Sequence, residues 1–265
     1  MRCAAGAQPR RCLTLPTLPP DDFIRIIDQE WPKAVRHSEI AHDKLSLWKG
    51  EMTPPELRDV AAHYFAPHLP PEPPYAFSQE QLEQATSSEM AGKHRIVVHL
   101  NYDYPAGLGP DAAQALIGAL LRHELEHAKQ VEQWGPDLFN IHEQFLHRAM
   151  GHSFGGSIPG LYVNNMPIEL DANAAASEYL REHHSEHIET LVASDCANLA
   201  RAQVPPQPRE TLMSRTIAFL YVYRESMEAT TGEISIESRL EVYNSEAAEI
   251  WRRLTQGEER PEPAH

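Results

Sequence analysis

The sequence predicts an α+β fold, mostly helical, with a small sheet packed on one long helix and on a second helix that bears a glutamate. Three observations predict it. Residues 111–133 carry an apolar stripe at helical spacing, with Ala113, Leu116 and Leu120 on one side. Residues 93–102, KHRIVVHLNY, alternate Ile96, Val98 and Leu100 with Arg95, Val97 and His99, the period of a strand with one apolar and one mixed face. After Asn164-Asn165-Met166-Pro167 a further helix begins and runs to about Glu182.

The remaining elements follow in chain order. Residues 1–20 read as a Pro-rich disordered lead, 21–255 as one domain, and 256–265 as a charged, flexible tail. Asp21-Asp22 is placed to cap a short helix with Phe23, Ile26 and Ile27 on one side, and Pro32 is expected to end it. Thr53-Pro54-Pro55-Glu56 opens a helix toward Phe65 by capping logic. Pro67 to Pro74 is a loop, and residues 79–86 form one more short helix. Gly107-Leu108-Gly109-Pro110 separates the strand from the long helix, which Gly135-Pro136 closes. Residues 139–150 are a third substantial helix, and 151–160 a Gly-rich loop suited to act as a lid. The last third is helical by periodicity over about 187–200, 209–230 and 235–254.

Composition narrows the function. Across 265 residues, 23 Lys and Arg stand against 38 Asp and Glu, a net charge of −15. That balance argues against sequence-independent nucleic-acid binding, which needs clustered cations. Three cysteines, Cys3, Cys12 and Cys196, make neither a disulfide framework nor a zinc knuckle and fit a reducing cytoplasm. The basic start lacks the apolar run of a targeting signal. The longest near-apolar run, Ala112 to Leu121, is about half the ~20 residues that span a bilayer. A cytoplasmic chain with no membrane partner is expected.

The chemical signal is His123-Glu124-Leu125-Glu126-His127, an HExxH match inside the long helix. Residues four apart share a helix face, so both imidazoles can reach one zinc ion while Glu124 reaches a water on it. The apolar stripe of the helix runs into His123 and His127, which directs both toward the interior. Zinc supplies Lewis acidity, and Glu124 is the candidate general base. Downstream, Glu169 and Asn173 lie four residues apart on one face of the second helix, among Ala172, Ala174, Ala175 and Ala176. The alanines permit a close helix approach, and Asn173 can hydrogen-bond the far nitrogen of a ligand histidine.

With the HExxH helix, the segment Pro167-Ile168-Glu169-Leu170-Asp171-Ala172-Asn173 resembles the gluzincin metallopeptidases. More narrowly, it is similar to the signature of the ImmA/IrrE-type metallo-endopeptidases, with Asp171 standing where that signature has a second Glu. The resemblance covers about residues 90–180. It implies a zinc metallopeptidase with His123, His127 and Glu169 as metal ligands, Glu124 as catalytic base, and a peptide or protein as substrate. Helical phase favours Glu169 over Asp171 as third ligand, since the two lie about 200° apart and Asp171 falls on a partly solvated face.

Other readings of the sequence compete with this one. Glu126 could serve as base in an H-x-x-E-H frame, and His183-His184-Ser185-Glu186-His187 repeats that frame in a charged helix end. Glu39-Ile40-Ala41-His42 has the E-x-x-H spacing of a di-iron oxidoreductase bundle. A structural zinc site in a regulatory protein is the third reading, against which an intact Glu124 speaks. Tyr162, His152 and Tyr179 are candidate oxyanion donors, His147 and His152 flank the Gly-rich loop, and the strand from Arg95 to Tyr102 is an edge that could accept an extended peptide.

Overall fold

A computed structural model describes residues 19–50, 62–67, 92–100, 108–135, 166–194, 199–200, 209–222, 224 and 245–256. The segments expected at 1–18, 53–61, 79–86, 139–150, 151–160 and 257–265 lie outside the described residues, as do His147, His152 and Tyr162. The described residues are mostly helical with a small three-stranded sheet, as the sequence predicts.

Helix α1 spans Pro20–Ser38. Its N-cap is Pro19, without a side-chain cap, so Asp21 and Asp22 act from the first turn on the helix dipole instead of capping. Phe23, Ile26, Ile27, Glu30, Ala34 and Val35 form its buried stripe. That stripe continues on both sides of Pro32, so α1 does not stop there. Pro32 faces solvent, and burial of Ala34 and Val35 offsets the roughly 3 kcal/mol of an interior proline. Termination comes at Glu39, in the left-handed region at φ 64°. There the Ser38 hydroxyl donates to the Val35 carbonyl and accepts from the Ile40 amide.

A 3₁₀ turn at His42–Lys44 leads into β1, Leu45–Gly50. Strand β2 is Ala62–Phe65 and β3 is His94–His99. The order is β1-β3-β2, with β1 parallel and β2 antiparallel to β3. Two expectations are corrected here. Residues 62–65 are strand, not the end of a helix: His63 pairs with Val97 and Tyr64 with Ile96, and aromatic side chains suit that pleated surface. And β3 is the central strand, so it offers no edge to a peptide; all six of its residues are buried, the polar ones included. Arg95 donates from Nη2 to the Ala66 carbonyl and His99 meets His63, so both polar residues of the expected mixed face have internal partners.

Helix α2, Pro110–Trp134, is the axis of the molecule. Pro110 follows Gly109 at its start, and Gly135, at φ 79°, closes it by donating to the Val131 carbonyl. Helix α3, Pro167–His183, packs along it. A 3₁₀ turn at Ser185–His187, the short α4 (Ile188–Val192), α5 (Arg209–Val222) and α6 (Ser245–Thr255) complete the described chain. The helix expected over 187–200 is interrupted at residues 193–194. One apolar cluster joins α1, the sheet, α2 from Ile117 onward, Ile168 and Tyr179 of α3, α5 and α6; a second joins Ala115, Leu116 and Ala119 of α2 to Ala176, Leu180 and Leu191.

Glu30 ties α1 to its neighbours. Its carboxylate, wholly buried, accepts from Lys33 (2.7 Å), Gln114 of α2 (2.6 Å), the Tyr179 hydroxyl of α3 (2.6 Å) and His184 just beyond α3 (3.0 Å). Burial alone would raise its pKa, but those donors outweigh it and hold the group at about 2. Gly118 makes the junction possible, because a Cβ there would lie 2.7 Å from the Tyr179 ring and 2.8 Å from Glu30. A folded-state pKa of about 2 against an ordinary 4.5 gives stability that is full above pH 4.5 and lost as pH falls toward 2. Glu30→Gln is therefore expected to cost on the order of 3 kcal/mol at pH 7, with the gap to wild type shrinking below pH 4.5. Urea unfolding of both proteins across pH 3–7 checks this, and a pH-independent gap would contradict it.

Candidate metal centre

The α2 helix sets His123 and His127 one turn apart with their rings nearly perpendicular, centroids 4.9 Å apart. Their Nε2 atoms lie 3.2 Å from each other. Glu169, in the first turn of α3, brings Oε2 to 3.4 Å from His123 Nε2 and Oε1 to 3.5 Å from His127 Nε2. These three residues form the one His/Cys/Asp/Glu group among the described residues with metal-holding spacing.

The spacing can be tested against a metal. A tetrahedral ion with bonds of about 2.0–2.1 Å separates its ligand atoms by about 3.3–3.4 Å. The two Nε2 atoms, 3.2 Å apart, lie close to that value, and each has one oxygen of the Glu169 carboxylate at a similar distance, Oε2 for His123 and Oε1 for His127. Two imidazoles and a carboxylate are a donor set suited to zinc, leaving one tetrahedral position for water or substrate. The side chains of His123, His127 and Glu169 are 12%, 7% and 18% exposed, so the group is recessed yet reachable.

Neighbouring groups hold these side chains. His127 Nδ1 donates to Gln130 Oε1 (2.9 Å), which leaves Nε2 bare toward the metal position. The Gln130 amide in turn donates to the Ile168 carbonyl (3.0 Å), next to Glu169 in sequence. Gln130 was not among the sequence candidates, although it continues the 123–127 face at i+7 as a polar residue on a buried stripe. Asn173 sits beside His123, as its spacing from Glu169 predicts, and its amide favours the imidazolium. The buried Nδ1 of His123 has no hydrogen bond of good geometry among the described residues. Burial pushes the His123 pKa down, but Glu169, Glu124 and Asn173 outweigh it and the group titrates above its ordinary range.

Glu124 is buried and is not one of the three ligand-spaced groups. Burial first, and then Glu169, pushes its carboxyl above the usual carboxylate range, against the pull of His123 and His127. It thus lies within electrostatic reach of all three.

The other candidates fall elsewhere. Asp171 is buried and stands outside the ligand group; its face is not partly solvated as expected, since Ala174 and Ala175 are buried too and exposure begins at Glu178. Glu126 is taken by a buried ion pair with Arg122, whose Nε also donates to His37, so an H-x-x-E-H frame has no available base. Glu39 caps α1 and pairs with Lys129 while His42 sits in a 3₁₀ turn, so the E-x-x-H at 39–42 is not helical. His183 and Glu186 are exposed, in keeping with a charged helix end, whereas His184 turns inward to Glu30. Tyr179 is corrected as an oxyanion candidate. Its hydroxyl is committed to Glu30 near Gly118, about 7.5 Å along α2 from His123 and on another face.

Gln130→Ala is expected to weaken divalent-metal binding about 10–100-fold without changing helix content, by competition with a chelator and circular dichroism. Undiminished affinity would mean that Gln130 only fills space. Comparison of the chain with protein-family models, with curated proteins and with solved structures finds no match in any of the three.

Proposed function

We propose that this chain is a zinc-dependent hydrolase of peptide bonds. The observation that carries the reading is the juxtaposition of His123, His127 and Glu169 at a spacing that could hold a metal ion, with a buried carboxylate, Glu124, beside them. The resemblance of the HExxH and Glu169–Asn173 segments to the ImmA/IrrE-type metallo-endopeptidases supplies the substrate class.

His123, His127 and Glu169 would hold the ion, and zinc bound there supplies Lewis acidity toward a carbonyl and lowers the pKa of a water. Gln130 orients the His127 ring, and Asn173 stands by His123. Glu124 accepts the proton of the attacking water and returns it to the leaving amine. A carboxyl raised by burial suits both halves of that transfer, because its proton affinity lies nearer to neutral pH. Such a base is superfluous in a structural zinc site. The di-iron alternative loses its second E-x-x-H helix at residues 39–42. Among the described residues no helix is long and apolar enough to cross a membrane. The low cysteine count fits the cytoplasm.

Glu124→Gln is expected to keep one zinc per chain while losing about 10²–10⁴-fold in peptide hydrolysis. Metal analysis alongside a quenched-fluorescence peptide assay reads both, and loss of zinc from this variant would refute the assigned role. Glu169→Ala is expected to cost at least about 10-fold in zinc affinity, and Asp171→Ala less. The reverse order in chelator competition would move the third ligand to Asp171.

A further inference from the structure

We propose that Tyr64, His94 and Glu132 form a hydrogen-bonded brace that positions the ring of His127, so that a solvent-exposed carboxylate outside the metal centre sets part of its affinity. The proposal rests on the reading of His127 as a metal ligand.

The Tyr64 ring lies against the His127 ring, centroids 6.2 Å apart and planes tilted by 42°, within the range of an aromatic contact. The Tyr64 hydroxyl is 2.7 Å from His94 Nδ1. His94 Nε2 is 3.0 Å from Glu132 Oε1, and the other oxygen of Glu132 is held by Lys44. Because the carboxylate accepts from Nε2–H, neutral His94 presents a bare Nδ1 and the phenol donates to it. A single order of donors and acceptors thus runs from the ring beside His127 to the surface.

The strands put these groups there. Tyr64 on β2 pairs with Ile96 on β3, so His94, two residues from Ile96, shares its face as a diagonal neighbour. Glu132 lies five residues beyond His127 on α2. The brace therefore closes on itself: helix, carboxylate, imidazole of the central strand, phenol of the outer strand, and back to the ligand ring. Tyr64 and His94 are 4% and 1% exposed, where hydrogen bonds strengthen one another, whereas Glu132 is 40% exposed. Gln130 fixes His127 through one atom, Nδ1, about which the ring can still tilt; Tyr64 stands against the ring itself. Sheet and metal centre are coupled through this contact.

Zinc dissociation constants from chelator competition and the visible absorption of the cobalt-loaded protein test the brace in wild type, Tyr64→Phe, Glu132→Ala and Glu132→Gln. Thermal unfolding of the metal-free proteins runs alongside. Tyr64→Phe removes one oxygen, and Glu132 is at the surface, so all variants are expected to fold. Tyr64→Phe and Glu132→Ala are expected to weaken zinc about 10-fold and to alter the cobalt bands. Glu132→Gln keeps an acceptor for His94 and is expected to stay within about 2-fold of wild type. Wild-type affinity and spectra in Tyr64→Phe and Glu132→Ala would overturn the brace and leave the metal reading standing. Equal losses in Glu132→Ala and Glu132→Gln would also overturn it, because charge and not the hydrogen bond would then matter. Wild-type protein that takes up neither zinc nor cobalt would overturn the metal reading, and the brace with it.

Discussion

A carboxylate on one helix can meet two imidazoles on another only where the two backbones come close, and α2 and α3 meet that condition through small residues. Gly118, Ala115 and Ala119 on α2 face Tyr179, Ala176 and Leu180 on α3. Tyr179, late in α3, packs near Gly118, early in α2; Glu169, early in α3, reaches His123 and His127, late in α2. The helices therefore run antiparallel, and their relative height decides whether Glu169 arrives at the histidines. Glu30 fixes that height. One buried carboxylate takes donors from α1, α2 and α3 together, and a shift of one helix by a turn, about 5.4 Å, would strip it of partners.

The same economy recurs around the site. Several histidines and carboxylates that would be costly to bury singly are buried in hydrogen-bonded sets: Glu30 with its four donors, Glu126 with Arg122, His94 between Tyr64 and Glu132. Gln130 belongs to this pattern, joining His127 to the first turn of α3. The site is thus held by groups on α2, α3 and two strands of the sheet, and its precision comes from the packing of these elements against one another.

What could be read in the sequence divides along physical lines. Local periodicity carried the long helix, the strand at 94–99, the second helix and the shared face of His123 and His127, because each depends on neighbours within a few turns. The pairing of Glu169 with those histidines came from the resemblance to the gluzincin metallopeptidases, and helical phase only chose Glu169 over Asp171. Glu30 shows the opposite case. It sits in the stripe Phe23–Ile27–Glu30–Ala34 as a charged residue on an apolar face, but the partners that explain it are 84, 149 and 154 residues away. Strand β2 was hidden by the helix-start signal at Thr53-Pro54-Pro55-Glu56, since its pairing partner lies about 30 residues downstream. Pro32 misled for a related reason: its local cost is real, and burial of residues beyond it decides the outcome. Tyr64 carried no local mark at all, because its place beside His127 exists only once the sheet and α2 are packed.

The central claim is that two imidazoles and one carboxylate of this chain hold a single zinc ion with one position left open. X-ray absorption at the zinc edge, on protein loaded with one equivalent of zinc, tests it most directly. The expected first shell is four nitrogen and oxygen atoms near about 2.0–2.1 Å, with outer-shell scattering from two imidazole rings, reduced to one in His127→Ala. A sulfur scatterer near about 2.3 Å, a metal–metal vector, or a spectrum unchanged in His127→Ala would contradict it.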